Sequence, residues 1–364
     1  MTEPLLTVDN LNVSFSTSES RVPAVRGVSF QLNPQEILGI VGESGSGKSV
    51  TGLSIMGLLA KNAKVEGSVK FKDRELLGLK EKQLMELRGL GIAMIFQDPL
   101  TSLNPVYTVG WQISEALRAH QELSKEDAAK EAIRLLEMVG IPNASDRVNN
   151  YPHEFSGGMR QRVVIAIAMA NNPEVILADE PTTALDVTVQ AQVLDALKKA
   201  LSETNASLVL ITHDLGVIAG LADRVAVMYA GRIVEVGSAD DIFYRPAMPY
   251  THGLLGSVPR VDNDGVERLR QIPGAPPSLI GSRQGCPFAP RCPMRADICS
   301  EHEPDLVPVL VTTPAHAPAD PTAATTSSEH SHLAACHFAD NVSKLPIGSM
   351  FSATDSAITE EVVS

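Results

Sequence analysis

Apolar and polar residues alternate along 5–13 and again along 27–32, a period of two that predicts half-buried strands. The segment 36–41 contains ILGIV, a continuous apolar run that predicts a buried strand. A glycine-rich turn follows, then an amphipathic helical pattern from Lys48 to about Leu59. VEGSVKFK at 65–72 alternates once more. Residues 111–139 carry helical spacing with many charges, 149–161 form a polar connection containing glycine, and 162–170 predict a helix. VILAD (175–179) and SLVLIT (207–212) are short apolar runs bounded by polar residues, as expected of interior parallel strands in an α/β chain. Two further short strands are predicted over 223–237, around the turn at Ala230 and Gly231.

The pattern changes near residue 245. RPAMPY and, at 273–278, PGAPPS are turn and loop material. Residues 312–332 are low in complexity and contain no aromatic residue, so they cannot bury enough apolar surface to order themselves alone. A loose tail is expected over 346–364.

With 364 residues, 44% of them hydrophobic and 20% charged, the chain has globular composition and the length for two or three domains. That excludes a wholly disordered chain, a collagen-like fibre and a compact disulfide scaffold. The richest apolar run, 163–170, is far too short to span a bilayer, so no transmembrane helix is expected. MTEPLLTVDN has no basic start, and no secretory signal is expected. A net charge of −13 argues against a nucleic-acid partner.

Candidate chemistry begins with GESGSGKS at 42–49, a G-x-x-x-x-G-K-S pattern between a predicted strand and a predicted helix. Gly42, Ser44, Gly45 and Gly47 belong to a loop whose backbone can curl so that several N–H groups face one anion. The helix beginning near Lys48, Ser49 and Val50 adds its partial positive charge. Lys48 is expected to reach the β- and γ-phosphates of ATP, and Ser49 to ligate Mg²⁺. VILADE places Asp179 at a strand end, where a carboxylate can hold Mg²⁺ directly or through water. Glu180 follows and can polarise a water for in-line attack.

Further stretches, in order along the chain, resemble those of ABC ATPases: Gln97 in MIFQDP, FSGGMRQR (155–162), TALD (183–186) and His213 in LITHD. The resemblance covers about 5–240. It implies a P-loop NTPase (RecA-like) ABC core with an α-helical subdomain. Gln97 would sense Mg²⁺ and the attacking water, His213 would contact the γ-phosphate, and Phe15 would stack on adenine. Ser156, Gly157 and Gly158, read as preceding a helix, would cap ATP bound by a neighbouring subunit, with Asp186 communicating across that dimer. QDPLTSLNP, PHEFSGGMRQR, PTTALDVTVQAQ and RPAMPYTHGLLGSVP resemble the dipeptide/oligopeptide importer branch, whose wording nickel-importer ATPases share; Met248 departs from the His common there. A groove near Pro99–Tyr107 and Trp111 would then receive a helix of a membrane subunit, although Trp111 also suits a packed core position.

All four cysteines, Cys286, Cys292, Cys299 and Cys336, lie in the last third of the chain. Their spacing matches no standard zinc finger. The words around them resemble the C-terminal extension of peptide-importer ATPases, which implies a structural 4Fe–4S cluster. Structural Zn²⁺, disulfides and free buried thiols are the alternatives.

The combined expectation is an α/β ABC nucleotide-binding domain over 1–240, with its helical subdomain at about 88–164, and a small irregular metal-binding extension over 241–345. It would be an ATPase subunit of a peptide importer, peripheral on the cytoplasmic face of the cell membrane. Its partners would be two permeases, a second and paralogous ATP-binding subunit and an extracytoplasmic substrate-binding protein. Import of nickel or another small solute, and a non-transport ABC ATPase acting on DNA or ribosomes, are the alternatives.

Overall fold

A computed structural model describes residues 3–17, 20–183, 185–257, 271–277, 284–310, 332–347 and 349–351. Most of the low-complexity stretch, most of the tail, Ala184 and the end of the 245–259 block therefore lie outside the described residues. The chain forms two compact units, one of Met1–Ser16, Val25–Gly39 and Ser49–Thr212, the other of Thr17–Ala24, Ile40–Lys48 and His213–Ser364.

The first unit takes strand β1 (Leu6–Ser16), most of β2 (Arg21–Leu32), the start of β3 (Ile37–Val41), most of helix α1 (Lys48–Ile55), β4 (Ala63–Phe71) and β5 (Arg74–Glu75). Strand order in its four-stranded sheet is β2-β1-β4-β5. β1 and β4 run antiparallel with Leu6 opposite Phe71 and Phe15 opposite Ala63, and the register shifts between Asp9 and Asn12. There Asn10 has φ 46°, the left-handed conformation a bulge requires.

α2 (Glu81–Leu87) precedes β6 (Ile92–Ile95), a strand that the sequence pattern does not reveal and that lies inside the range expected to be helical. β6 pairs in parallel with β7 (Val175–Asp179), which pairs in parallel with β8 (Ser207–Thr212). Every residue of β7 and β8 is buried, which is why both read as continuous apolar runs.

Helices fill the interval between β6 and β7: α3 (Pro99–Ser102), α4 (Val109–Arg118), α5 (Lys125–Met138), α6 (Ala144–Arg147) and α7 (Gly157–Met169); α8 (Val187–Thr204) joins β7 to β8. The helical spacing of 111–139 is thus two helices. Thr108 caps α4 and Ser124 caps α5, each accepting a backbone N–H three residues on, so a fresh helix starts at Lys125. α5 buries Ala128, Ala132, Leu135 and Leu136 along one stripe. α1 stops at Ile55 rather than near Leu59, because Gly57 turns the chain at φ 63°.

The second unit holds α9 (Leu215–Ala219), β9 (Arg224–Tyr229), β10 (Arg232–Ser238), α10 (Ala239–Tyr244), α11 (Pro249–Gly256), α12 (Asp297–Glu301), β11 (Val307–Pro308), β12 (Leu333–Ala334) and α13 (Ala339–Val342). β9 and β10 form the expected hairpin, with Ala230 and Gly231 both at positive φ. β12 pairs antiparallel with both β10 and β11, so the segment beyond residue 300 extends this hairpin. No helix among the described residues is long and apolar enough to cross a membrane.

Candidate functional site

The loop from Gly42 to Gly47 connects β3 to α1. Gly42, Gly45 and Gly47 have φ of 156°, 78° and 103°, so the curl uses conformations other residues avoid. A Cβ on Gly42 would lie 2.2 Å from the Met228 carbonyl oxygen, which excludes any side chain there. Lys48 is buried, and its Nζ donates to the Gly42 and Glu43 carbonyls at 2.7 and 3.1 Å. The ammonium folds back over the loop that it would otherwise span. Ser44 and Gly45 are exposed, and Val50 is half-buried in α1.

In the first unit, the Ser49 hydroxyl donates to Asp179 Oδ1 at 2.9 Å. A hydroxyl and a carboxylate oxygen side by side are the hard donors that Mg²⁺ prefers, so these two residues fit the cation the sequence implied. Asp179 ends β7 and is 6% exposed.

Glu180 follows at φ 46°, unusual for a residue with a side chain, and its N–H donates to the Ile211 carbonyl of β8. Gln97 Nε2 donates to Glu180 Oε2 at 3.0 Å, and the Thr183 hydroxyl donates to the same oxygen at 2.7 Å. The structure thus brings Gln97 and Glu180 together from positions 83 residues apart. Thr183 was absent from the expected site, because a threonine in a Pro-Thr-Thr turn carries no signal of its own.

Ser156 is the N-cap of α7, accepting from Met159 N–H at 3.4 Å, and Gly157 and Gly158 are its first helical residues. This corrects the expectation that the helix begins at 162: three polar residues, Arg160, Gln161 and Arg162, disguise its first turns. The two glycines differ. A Cβ on Gly157 would meet only Leu185 at 3.5 Å, whereas one on Gly158 would lie 2.2 Å from Val189 of α8. Packing of α7 on α8 therefore demands glycine at 158. Asp186 caps α8, accepting from Val189 N–H at 2.9 Å. Phe15 is half-buried in β1, and His213 is exposed just after β8.

The four cysteines line one largely apolar cavity, shared with Met248, Phe288 and Phe338. All are free thiols. Burial raises three thiol pKa values, pushing up that of Cys286, that of Cys292 to about 11 and that of Cys336 to about 12. Backbone N–H groups of Phe288 and Ala289 point at Cys286, that of Met294 at Cys292 and that of Phe338 at Cys336, each opposing that rise. Among the described residues no group of three or more His, Cys, Asp or Glu side chains is arranged to hold one metal ion.

Comparison with known proteins agrees with this geometry. The family model described as ABC transporter matches residues 25–183. A dipeptide transport ATP-binding protein, DppD of Bacillus subtilis, is 55% identical over 83% of this chain and 90% of its own length. The chain belongs to the ABC transporter family. Its C-terminal part, 234–299, matches the oligopeptide/dipeptide transporter C-terminal region. An oligopeptide transport ATP-binding protein, OppD of Mycobacterium tuberculosis, is 54% identical over 84% of this ABC ATPase, which spans 50% of that longer protein. A solved dimeric ATP-binding cassette in a post-hydrolysis state, bound to ADP and Pi, superimposes with a TM-score of 0.58 at 30% identity, covering 64% of this chain and 98% of that one.

Proposed function

We propose that this ABC ATPase is the ATP-hydrolysing subunit of an importer for dipeptides or oligopeptides. The observation that carries the reading is the 55% identity to a dipeptide transport ATP-binding protein along 90% of its length.

The chemistry follows from the residues. Backbone N–H groups of 42–47 and the start of α1 cradle the phosphates, and Lys48 leaves its two carbonyl partners for them. Ser49 and Asp179 would hold Mg²⁺, which supplies charge neutralisation on the phosphate oxygens when bound. Glu180 accepts a proton from water as its oxygen attacks the γ-phosphorus in line; the bond to the β–γ bridging oxygen breaks, giving ADP and phosphate. Gln97 and Thr183 orient Glu180 before nucleotide arrives, and Gln97 is freed to face the water once the carboxylate turns to it. His213 would contact the γ-phosphate and Phe15 the adenine ring. Ser156 and Gly157, both exposed, with buried Gly158 behind them, would close over ATP held by a second ATP-binding subunit, with Asp186 at that boundary. The solved dimer of a similar cassette supports this arrangement.

The stacked pair Tyr107 and Trp111, with rings 3.9 Å apart, is exposed, as are Leu100 and Val106 in the same stretch of chain. Such a stretch suits a helix from a permease. Two permeases and an extracytoplasmic binding protein would complete an importer on the cytoplasmic face of the membrane. Purification in mild detergent should recover polytopic permeases, and the reconstituted complex should take up dipeptides or longer peptides on ATP addition. Uptake of nickel instead would change the cargo, and recovery of nucleic acid or ribosomes alone would overturn the transport reading.

Cys286, Cys292, Cys299 and Cys336 would hold a 4Fe–4S cluster, which supplies a rigid covalent cross-link for a segment of little regular structure. Anaerobically purified protein should contain iron and acid-labile sulfide, and Cys292→Ser should lose both. Zinc without sulfide would replace the iron–sulfur assignment.

A further inference from the structure

A loop that binds a triphosphate carries an acidic residue of its own, Glu43, and the segment containing the cysteines neutralises it. Arg291, on the 3-10 turn Ala289–Arg291 between Cys286 and Cys292, forms a bidentate pair with Glu43: Nη1 to Oε2 at 2.8 Å and Nη2 to Oε1 at 3.0 Å. The Arg291 side chain is only 6% exposed. Its Nε donates to the Pro273 carbonyl at 2.9 Å, and its guanidinium lies 6.0 Å from the ring centres of both Tyr229 and Phe288. The same loop residue is held a second time through its backbone. Glu43 N–H donates to the hydroxyl of fully buried Tyr250 at 2.8 Å, and the Tyr250 ring packs on Tyr229 and Phe288. Glu43 also presents a carbonyl to Lys48. Its main chain therefore sits next to the group that reaches for phosphate.

We propose that Arg291 and Tyr250 are positioning residues for nucleotide binding, a latch from the cysteine segment and α11 onto the phosphate loop. The inference rests on the nucleotide reading of residues 42–49. Without Arg291, the Glu43 carboxylate would stand as an uncompensated negative charge in a loop built for a polyanion, and repulsion would weaken binding. A purely structural Arg291 predicts a different pattern: lost stability with unchanged affinity, and no benefit from removing the acid.

The test is nucleotide affinity of the full chain, read by titration of a fluorescent ATP analogue with Mg²⁺. Arg291→Met should raise Kd about tenfold. The double variant Arg291→Met/Glu43→Gln should return to within about twofold of the parent, because the repelling charge is gone. Unchanged affinity in Arg291→Met, or no recovery in the double variant, overturns the proposal. Should Arg291→Met not fold, Tyr250→Phe decides: it keeps the aromatic packing and removes only the hydroxyl, so the latch requires weaker binding, and parental affinity refutes it. If the parent protein itself binds no nucleotide and Lys48→Ala changes nothing, the reading of the loop fails instead.

Discussion

Glu180, proposed to activate water, and Glu43, in the proposed phosphate loop, are both half-buried acids, but their partners differ. Glu180 is half-buried and accepts single hydrogen bonds from exposed Gln97 and from Thr183 three residues along. Glu43 is gripped by a bidentate arginine 248 residues away and by a tyrosine whose side chain is fully buried. Single bonds near water exchange at little net cost, whereas breaking the bidentate pair leaves the buried Arg291 guanidinium without its counter-charge. The proposed reaction requires the first acid to change partners, whereas the second is held through both its carboxylate and its backbone. The lesson is that the partners of an acidic residue, more than its proximity to a motif, tell a working carboxylate from a structural one.

The sharpest way to break this comparison is Glu180→Gln. Hydrolysis should fall about 10²- to 10⁴-fold while MgATP binding persists, measured by phosphate release and nucleotide titration. Unaltered turnover would remove Glu180 from the reaction and leave the two acids alike. Next in size is Gly158→Ala, where the added methyl meets Val189 of α8 at 2.2 Å. Overpacking of this kind costs about 1–3 kcal/mol in urea unfolding, and Gly157→Ala should stay within about 0.5 kcal/mol. Equal effects at the two positions would show that α7 does not pack on α8 as described.

The smallest effect concerns His252 in the second unit. It is fully buried, and its Nε2 lies 3.0 Å and 3.2 Å from the Pro246 and Val342 carbonyls. Burial lowers its pKa from 6.5, even though Glu235 and the two carbonyls pull upward. In the unfolded chain His252 binds a proton more readily, so the stability it confers is present above pH 6.5 and is lost as pH falls. The slope from this one group is no steeper than about 1.4 kcal/mol per pH unit. Melting temperatures at pH 7.5 and 5.5 should diverge in the parent and converge in His252→Gln.

Much of the nucleotide core is legible in the amino-acid sequence. Gly42 to Ser49 and VILADE announce themselves because their chemistry is local: glycine torsions, a helix start and a buried strand ending in a carboxylate. β6 escapes notice because four apolar residues are too few to establish a period. The early start of α7 is hidden for the opposite reason, a polar surface over a helix fixed by the Ser156 cap and by Gly158 against Val189.

What the sequence determined alone was the set of short-range instructions: which residues curl into a loop, which strands are buried, and where a helix may begin. Only tertiary structure decided that Gln97 and Thr183 share the Glu180 carboxylate, and that Arg291 and Tyr250 seize Glu43. Torsional preference and periodicity are written in neighbouring residues, but an ion pair depends on where the folded chain brings two distant side chains and how much water it leaves between them.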